Sequence, residues 1–188
     1  MKKNYKSIQK STLVSIIMNC HNGEKYLNKS IGSILKQSYQ NWELIFYNNN
    51  SSDESERIVK KFKDHRIKYF YSKKLLSLGK ARNEALKNSK GNLIAFLDCD
   101  DIWCSEKLEL QVPEFDDDKV GVVTCNTIFF NQKGKEKILY KNDKPKIGLV
   151  ARDLLRNYHL SLETIMIRKK ALFQLDYWFD EDFNVIEE

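Results

Sequence analysis

No run in this 188-residue chain approaches the roughly 20 apolar residues that a membrane-crossing helix requires. The amino terminus, Met1-Lys2-Lys3-Asn4-Tyr5-Lys6, is basic but lacks the apolar segment of a secretory signal, so a cytoplasmic location is expected. Cysteine is scarce. Cys20, Cys99, Cys104 and Cys125 fall in or beside apolar stretches and not at the paired spacings of a zinc site, which predicts reduced, packed thiols. Internal repeats, low-complexity tracts and recognisable nucleic-acid-binding modules are all lacking, and no nucleic-acid partner is expected. The loop after the first apolar run, residues 19–25, holds one glycine, Gly23, which argues against the glycine-rich phosphate loop of a nucleotidyltransferase. What is present is an ordinary globular composition, 41% hydrophobic and 31% charged, at a length suited to one domain with a full core.

The formal charge of +6 is unevenly spread. Residues 98–118 carry nine acids against one base, Lys107, so this window is −8 and the remainder is +14. A basic body around an acidic pocket suits a cation bound together with an anionic small ligand. It also suits peripheral association with an anionic membrane surface.

Residues 1–11 are polar, lysine-rich and expected to be flexible, and residues 12–188 are read as a single domain. Leu13-Val14-Ser15-Ile16-Ile17-Met18 reads as a buried strand, followed by a helix over about 24–37 with Leu27, Ile31, Ile34 and Leu35 at helical spacing. Trp42-Glu43-Leu44-Ile45-Phe46-Tyr47 is a second strand. Ser52 or Asp53 would cap the helix that carries Ile58, Val59 and Phe62. A third strand, Ile67-Lys68-Tyr69-Phe70-Tyr71, leads to a helix near 78–88, a turn at Lys90-Gly91-Asn92 and a fourth strand. Four strands alternating with helices predict an α/β fold, a mostly parallel central sheet flanked by helices. Beyond residue 101 the pattern loosens. A short helix at 106–112, a strand at 120–130 turning at Gly134 into 136–140 as an antiparallel pair, a helix at 148–158, a strand at 164–168 and a helix at 169–175 are expected.

The fourth strand, Leu93-Ile94-Ala95-Phe96-Leu97, delivers Asp98-Cys99-Asp100-Asp101. In extended backbone Asp98 and Asp100 point the same way and Asp101 points opposite, where it could cap a helix starting near Ile102. Two convergent carboxylates can hold a hard divalent cation and leave positions for phosphate oxygens; the alternative is an acidic helix cap and no more. Ligands of such sheets bind beyond the carboxyl ends of the strands. That rule gathers Asn19, Asn22, Asn48, Asn49, Asp98 and Asp100 around one crevice. Each asparagine could equally stabilise a polar turn, and His21 reads as a turn residue.

Taken together, several blocks resemble a family 2 glycosyltransferase of the GT-A (Rossmann-like) fold: Val14-Ser15-Ile16-Ile17, Asn22-Gly23-Glu24-Lys25-Tyr26-Leu27, Ser33-Ile34-Leu35-Lys36-Gln37-Ser38, Trp42-Glu43-Leu44-Ile45, Ser51-Ser52-Asp53, Gly79-Lys80-Ala81-Arg82-Asn83-Glu84-Ala85-Leu86, and residues 91–103. The resemblance is dense over 12–112, which it implies is the nucleotide-sugar-binding half, and thinner over 113–188, the acceptor-side half. It implies inverting transfer of a sugar from a nucleotide-diphosphate donor, UDP-sugar by default, to a hydroxyl of a glycan, lipid-linked or protein acceptor, in surface polysaccharide or glycoconjugate synthesis. Asp98 and Asp100 match the family's D-x-D, with Asp100 the better direct ligand of Mn²⁺ or Mg²⁺ and Asp98 a ribose or metal contact. Asn48 and Asn49 stand where the family has Asp-Asp or Asp-Asn. An amide offers a donor as well as an acceptor, which loosens the expected preference for uracil. Arg82 either faces the diphosphate or is a solvated helix residue.

Inverting transfer needs a carboxylate to take the acceptor's proton. By the resemblance, Phe179-Asp180-Glu181 leads into an acidic pair at Glu187-Glu188, with Glu188 in the base position, Glu187 next, and Asp180, Glu181 and Asp182 further fallbacks. Because the pair closes the chain, the sequence is expected to be the first part of a longer protein. A different class of function, a non-catalytic nucleotide-sugar-binding module, would share every feature up to Asp101.

Overall fold

The computed structural model describes residues 12–131, 134, 136–140, 147–156 and 160–182. Six strands form one sheet: β1 (Val14–Cys20), β2 (Trp42–Asn48), β3 (Ile67–Tyr71), β4 (Leu93–Phe96), β5 (Val122–Val123) and β8 (Met166–Arg168). Their order is β3-β2-β1-β4-β8-β5. The first four run parallel, and β8 is antiparallel to both β4 and β5. A separate two-stranded antiparallel ribbon pairs β6 (Ile128–Phe130) with β7 (Glu136–Ile138). This is the mostly parallel sheet with a small antiparallel element that the sequence predicts.

Alternation along the strands builds two cores, one on each face of the sheet. Val14, Ile16 and Met18 of β1, with Leu44 and Phe46 of β2, face α1 (Leu27–Leu35) and α2 (Ser55–Lys61) through Leu27, Ile31, Ile34, Ile58 and Val59. Ile17, Ile45, Ile94 and Phe96 face α3 (Leu78–Lys87) through Ala81, Ala85 and Leu86. Ser15 and Glu43 share the second face as buried polar residues, and their groups are matched. Ser15 Oγ donates to Glu43 Oε1 at 2.6 Å, which also accepts the Lys90 N–H at 2.6 Å, while the Gly91 N–H donates to Ser15 Oγ at 2.7 Å.

The second half is less regular than its sequence suggests. The expected strand over 120–130 is broken into β5 and β6 because residues 124–127 find side-chain partners in place of a ladder. Asn126 brackets Tyr140, donating to its carbonyl at 2.9 Å and accepting its N–H at 3.0 Å, and Thr124 Oγ1 lies 2.8 Å from Thr164 Oγ1. Residues 162–164 form a 3-10 turn ahead of β8. The helices expected at 106–112 and 169–175 are shorter, α4 (Lys107–Gln111) and α6 (Lys169–Leu172), and the described part of the one expected at 148–158 is α5 (Ala151–Arg156). The predicted helix start at Ile102 is absent and the first helical turn waits for Lys107, so Asp101 caps nothing.

Lys107 is an unusual core member, 7% exposed. Its ammonium donates to Gln111 Oε1 at 2.5 Å and the Thr164 carbonyl at 3.4 Å, and lies 4.5 Å from the centre of the Trp103 ring. Burial lowers its pKa to about 8. A base whose folded pKa lies below its unfolded value costs stability at low pH, and that cost is relieved as pH rises from the folded pKa toward the unfolded one. Wild type should therefore gain stability relative to Lys107→Met between pH 8 and 10, by about 1 kcal/mol per pH unit. Parallel urea titrations of both proteins across that range check it; equal slopes would mean the ammonium is solvated.

Candidate functional site

The carboxyl ends of β1, β2 and β4 carry the polar residues that the sequence groups together. The loop after β1 is fastened to the loop after β2. Asn22, in the left-handed region at φ 55°, accepts the Ser52 N–H through Oδ1 at 2.8 Å, and its own N–H donates to Ser51 Oγ at 3.0 Å. Asn50, at φ 59°, makes the matching turn in the second loop. His21 Nδ1 donates to the Asn49 carbonyl at 2.9 Å, consistent with the turn role expected for it.

The two asparagines that end β2 are both engaged within the protein. Asn48 is fully buried; its Nδ2 donates to the Tyr69 hydroxyl at 2.9 Å and its Oδ1 accepts the Ser51 N–H at 2.8 Å. Asn49 grips the backbone of Leu76 with both ends of its amide, donating to the carbonyl at 2.9 Å and accepting the N–H at 3.0 Å. A carboxylate in either place could not make the donating half of these pairs. That is a structural reason for asparagine here which sequence reading missed. The remaining asparagine, Asn19, has a buried Nδ2 with no hydrogen-bond partner among the described residues.

The acidic segment does not continue β4 as extended chain. The strand ends at Phe96, Leu97 adds one more bond to β1 through the Ile17 carbonyl at 3.0 Å, and the chain then turns, with the Asp101 N–H donating to the Asp98 carbonyl at 3.1 Å. The expected same-side placement of Asp98 and Asp100 in extended backbone is thus replaced by placement on one tight turn. Asp98 is half-exposed and meets Arg82 of α3, whose Nη2 lies 3.3 Å from Asp98 Oδ1. Arg82 is mostly buried, its guanidinium 5.4 Å from the centre of the Phe179 ring, so it is not the free surface residue of the alternative reading. Asp100 is exposed.

Negative charge is undercompensated on this turn. Burial, with Glu163, Asp100 and Asp98 nearby, pushes the Asp101 carboxyl up to about 7. Among the described residues neither Asp100 nor Asp101 sits in an ion pair, and no three His, Cys, Asp or Glu side chains are placed to hold an ion by themselves. Such a donor set fits a hard divalent cation that takes one or two carboxylates from protein and the rest from a phosphate ligand. Asp100 and Asp98 are the residues that could hold it. Glu163 and Trp103, which donates through Nε1 to the Glu163 carbonyl at 3.0 Å, border the turn from the second half of the chain. Sequence reading passed over Glu163. Its only signal was its position just before the strand at 164–168.

Asn83 accepts the Phe179 N–H at 3.1 Å and donates to the Phe179 carbonyl at 2.9 Å and to Glu181 Oε1 at 3.2 Å. Lys80 pairs with Glu181 at 3.0 Å, and Phe179 meets Phe96 edge to face at 5.7 Å. Residues 179–181 are thereby strapped to α3, and Glu181 is committed to that contact. Glu187 and Glu188 lie outside the described residues.

Comparison with known proteins fits this arrangement. Residues 15–175 match the family described as Glycosyl transferase family 2, and the chain belongs to that family. It is 34% identical over 180 residues to the Escherichia coli protein UDP-Glc:alpha-D-GlcNAc-diphosphoundecaprenol beta-1,3-glucosyltransferase WfgD, covering 91% of this chain and 67% of that protein. TarS 1–349 of S. aureus, solved alone and in complex with UDP or UDP-GlcNAc, superposes with a TM-score of 0.76 at 26% identity in the UDP complex, over 90% of this chain and 50% of that one. The mannosyltransferase PcManGT from Pyrobaculum calidifontis, in complex with GDP-Man and Mn²⁺, has a TM-score of 0.66 at 18% identity, a likeness of fold alone. The central sheet is thus that of the GT-A fold. The chain spans about half the length of the TarS chain it matches. Among the described residues no helix is long and apolar enough to cross a membrane.

Proposed function

We propose that residues 12–112 bind a nucleotide-diphosphate sugar and that the chain belongs to an enzyme transferring that sugar, with inversion, to a hydroxyl of a glycan, lipid-linked or protein acceptor. The observation that carries this reading is the turn at Asp98–Asp101, which is acidic, incompletely neutralised and set beside Arg82 at the carboxyl end of a parallel sheet. Uridine is the default base, supported by TarS, which was solved with UDP and UDP-GlcNAc. Asn19 supports a nucleoside contact through its unsatisfied Nδ2, whereas Asn22, Asn48 and Asn49 shape the crevice wall through the bonds described above.

A divalent cation, Mn²⁺ or Mg²⁺, would stabilise the charge that develops on the departing nucleoside diphosphate. Asp100 and Asp98 hold it in this reading. Arg82 keeps Asp98 oriented from α3 and adds positive charge at the diphosphate. Residues 113–188 contribute the acceptor side, and Glu188, or Glu187 in its place, takes the proton from the attacking hydroxyl. The +14 charge outside the acidic window supports peripheral attachment to an anionic membrane, where a lipid-linked acceptor would be presented.

The test is a thermal-shift panel of UDP, GDP and CDP and their sugars with and without Mn²⁺. UDP compounds should raise the melting temperature only with the ion; no response to any nucleotide diphosphate would sink the reading. Replacement of the base separates the enzyme from a non-catalytic binding module. Glu188→Gln should lower kcat by about 10²–10⁴-fold with donor affinity unchanged. A wild-type chain that binds donor but turns over none would favour the module.

A further inference from the structure

Cys20 closes β1, and Cys99 lies three residues beyond β4, the neighbouring parallel strand. Val14 pairs with Leu93 and Ile17 with Phe96, and Leu97 adds the last bond to β1 before the turn that carries Cys99. Past that turn the two sulfurs converge. A Cβ built on Gly23 would lie 2.7 Å from Cys20 Sγ and 3.1 Å from Cys99 Sγ, so both thiols crowd one spot that only glycine leaves open. Cys20 Sγ also reaches Ser55 Oγ at 3.6 Å. Both are free thiols here, and Cys99 is partly exposed at the mouth of the crevice. The other two cysteines stand apart: Cys104 is exposed, and Cys125 contacts the Thr164 carbonyl at 3.7 Å.

We infer that Cys20 and Cys99 form a redox-modifiable dithiol, closed to a disulfide by a peroxide-class oxidant, and that closure ties the turn bearing Asp98 and Asp100 to the end of β1. One sulfur attacks the peroxide, displacing water and becoming a sulfenic acid. The second thiol then attacks that sulfur, a second water leaves, and the S–S bond remains. Two thiols and one hydrogen peroxide thus give one disulfide and two waters. Plain packing of two small apolar side chains would explain their burial, but not their shared contact at Gly23. Because Cys99 lies between Asp98 and Asp100, a covalent bond there fixes the turn in one position and withdraws its freedom to adjust to a cation and diphosphate. This second consequence rests on the donor-site reading above.

The test uses the full chain carrying Cys104→Ser, which removes an exposed thiol remote from the pair, treated with hydrogen peroxide and mapped by peptide mass spectrometry without reduction. A Cys20–Cys99 cross-link with loss of two hydrogens from the intact mass, reversed by dithiothreitol, is expected. Mn²⁺-supported UDP affinity should fall about tenfold on oxidation and recover on reduction, and Cys99→Ser should lose this response. Oxygen added to separate cysteines with no such cross-link would overturn the dithiol, as would an equal loss of UDP affinity in Cys99→Ser. A cross-linked protein that binds UDP as well as the reduced one would overturn control of the turn. A reduced protein that binds no UDP would instead overturn the donor-site reading, with the mass map still reporting the cross-link.

Discussion

Asp100→Ala should sharply weaken Mn²⁺-supported UDP binding while leaving the fold intact. Asp100 is exposed on the turn after β4, in no ion pair among the described residues, so its removal breaks no packing and strips no partner of its charge. Such surface changes usually alter stability by no more than about 0.5 kcal/mol, and this one should relieve repulsion on Asp101, whose carboxyl is raised in part by Asp100. Binding is another matter. With a cation shared between one or two carboxylates and a diphosphate, loss of the better carboxylate should weaken UDP by about a hundredfold, the equivalent of roughly 3 kcal/mol. Calorimetric titration of UDP with and without Mn²⁺ measures it. Two results would sink the assigned role: affinity within a few-fold of wild type, or wild-type binding that ignores EDTA. Asp98→Ala makes an instructive partner. It also frees Arg82, so it should weaken UDP less than Asp100→Ala if the arginine then turns toward the phosphates.

The features legible in the sequence are those set by local pattern. Apolar runs at 13–18, 42–47 and 93–97 became parallel strands within a residue or two, because strands buried on both faces leave no other use for such runs, and 67–71 became the partly exposed edge strand beside them. The grouping of their polar ends followed from topology alone. What was not legible depends on partners distant in sequence. Nothing near Asn49 announces that its amide will clasp Leu76, or near Asn48 that Tyr69 will receive its N–H, 27 and 21 positions away. Asp101 looked like a helix cap because caps are local. The carboxyl is instead drawn into a half-buried place beside Glu163, 62 positions on in the numbering, and the next helix starts five residues late. The apolar run at 120–130 read as one strand, yet Thr164 and Tyr140 compete for its middle.

The largest stability effect should come from Gly91→Ala, one methyl group at the entry to β4. A Cβ there would lie 2.6 Å from the Leu13 carbonyl oxygen, 2.6 Å from the Ser15 nitrogen and 2.8 Å from Ser15 Oγ. Two of these three are backbone atoms of the chain entering and beginning β1, which sits between β2 and β4 in the sheet, so neither can step aside without moving a central strand. The third is the hydroxyl that accepts the Gly91 N–H and donates to the buried Glu43 carboxylate. Displacing it leaves that carboxylate with the Lys90 N–H as its remaining bond shown there, and a buried charge short of partners is costly. Overpacking of this kind typically costs 1–3 kcal/mol, and with the polar network disturbed as well about 3 kcal/mol is expected. Urea unfolding of the two proteins gives the difference directly. Gly32→Ala supplies the control: a Cβ at Gly32, inside α1, meets nothing within 4 Å, and alanine in place of a helical glycine should stabilise by up to about 1 kcal/mol. If both alanines shift the midpoint alike, the close approach of residue 91 to β1 is not what this position requires. If Gly91→Ala alone collapses it, the glycine in the turn before the acidic strand holds β4, and with it the Asp98–Asp101 turn, in register against β1.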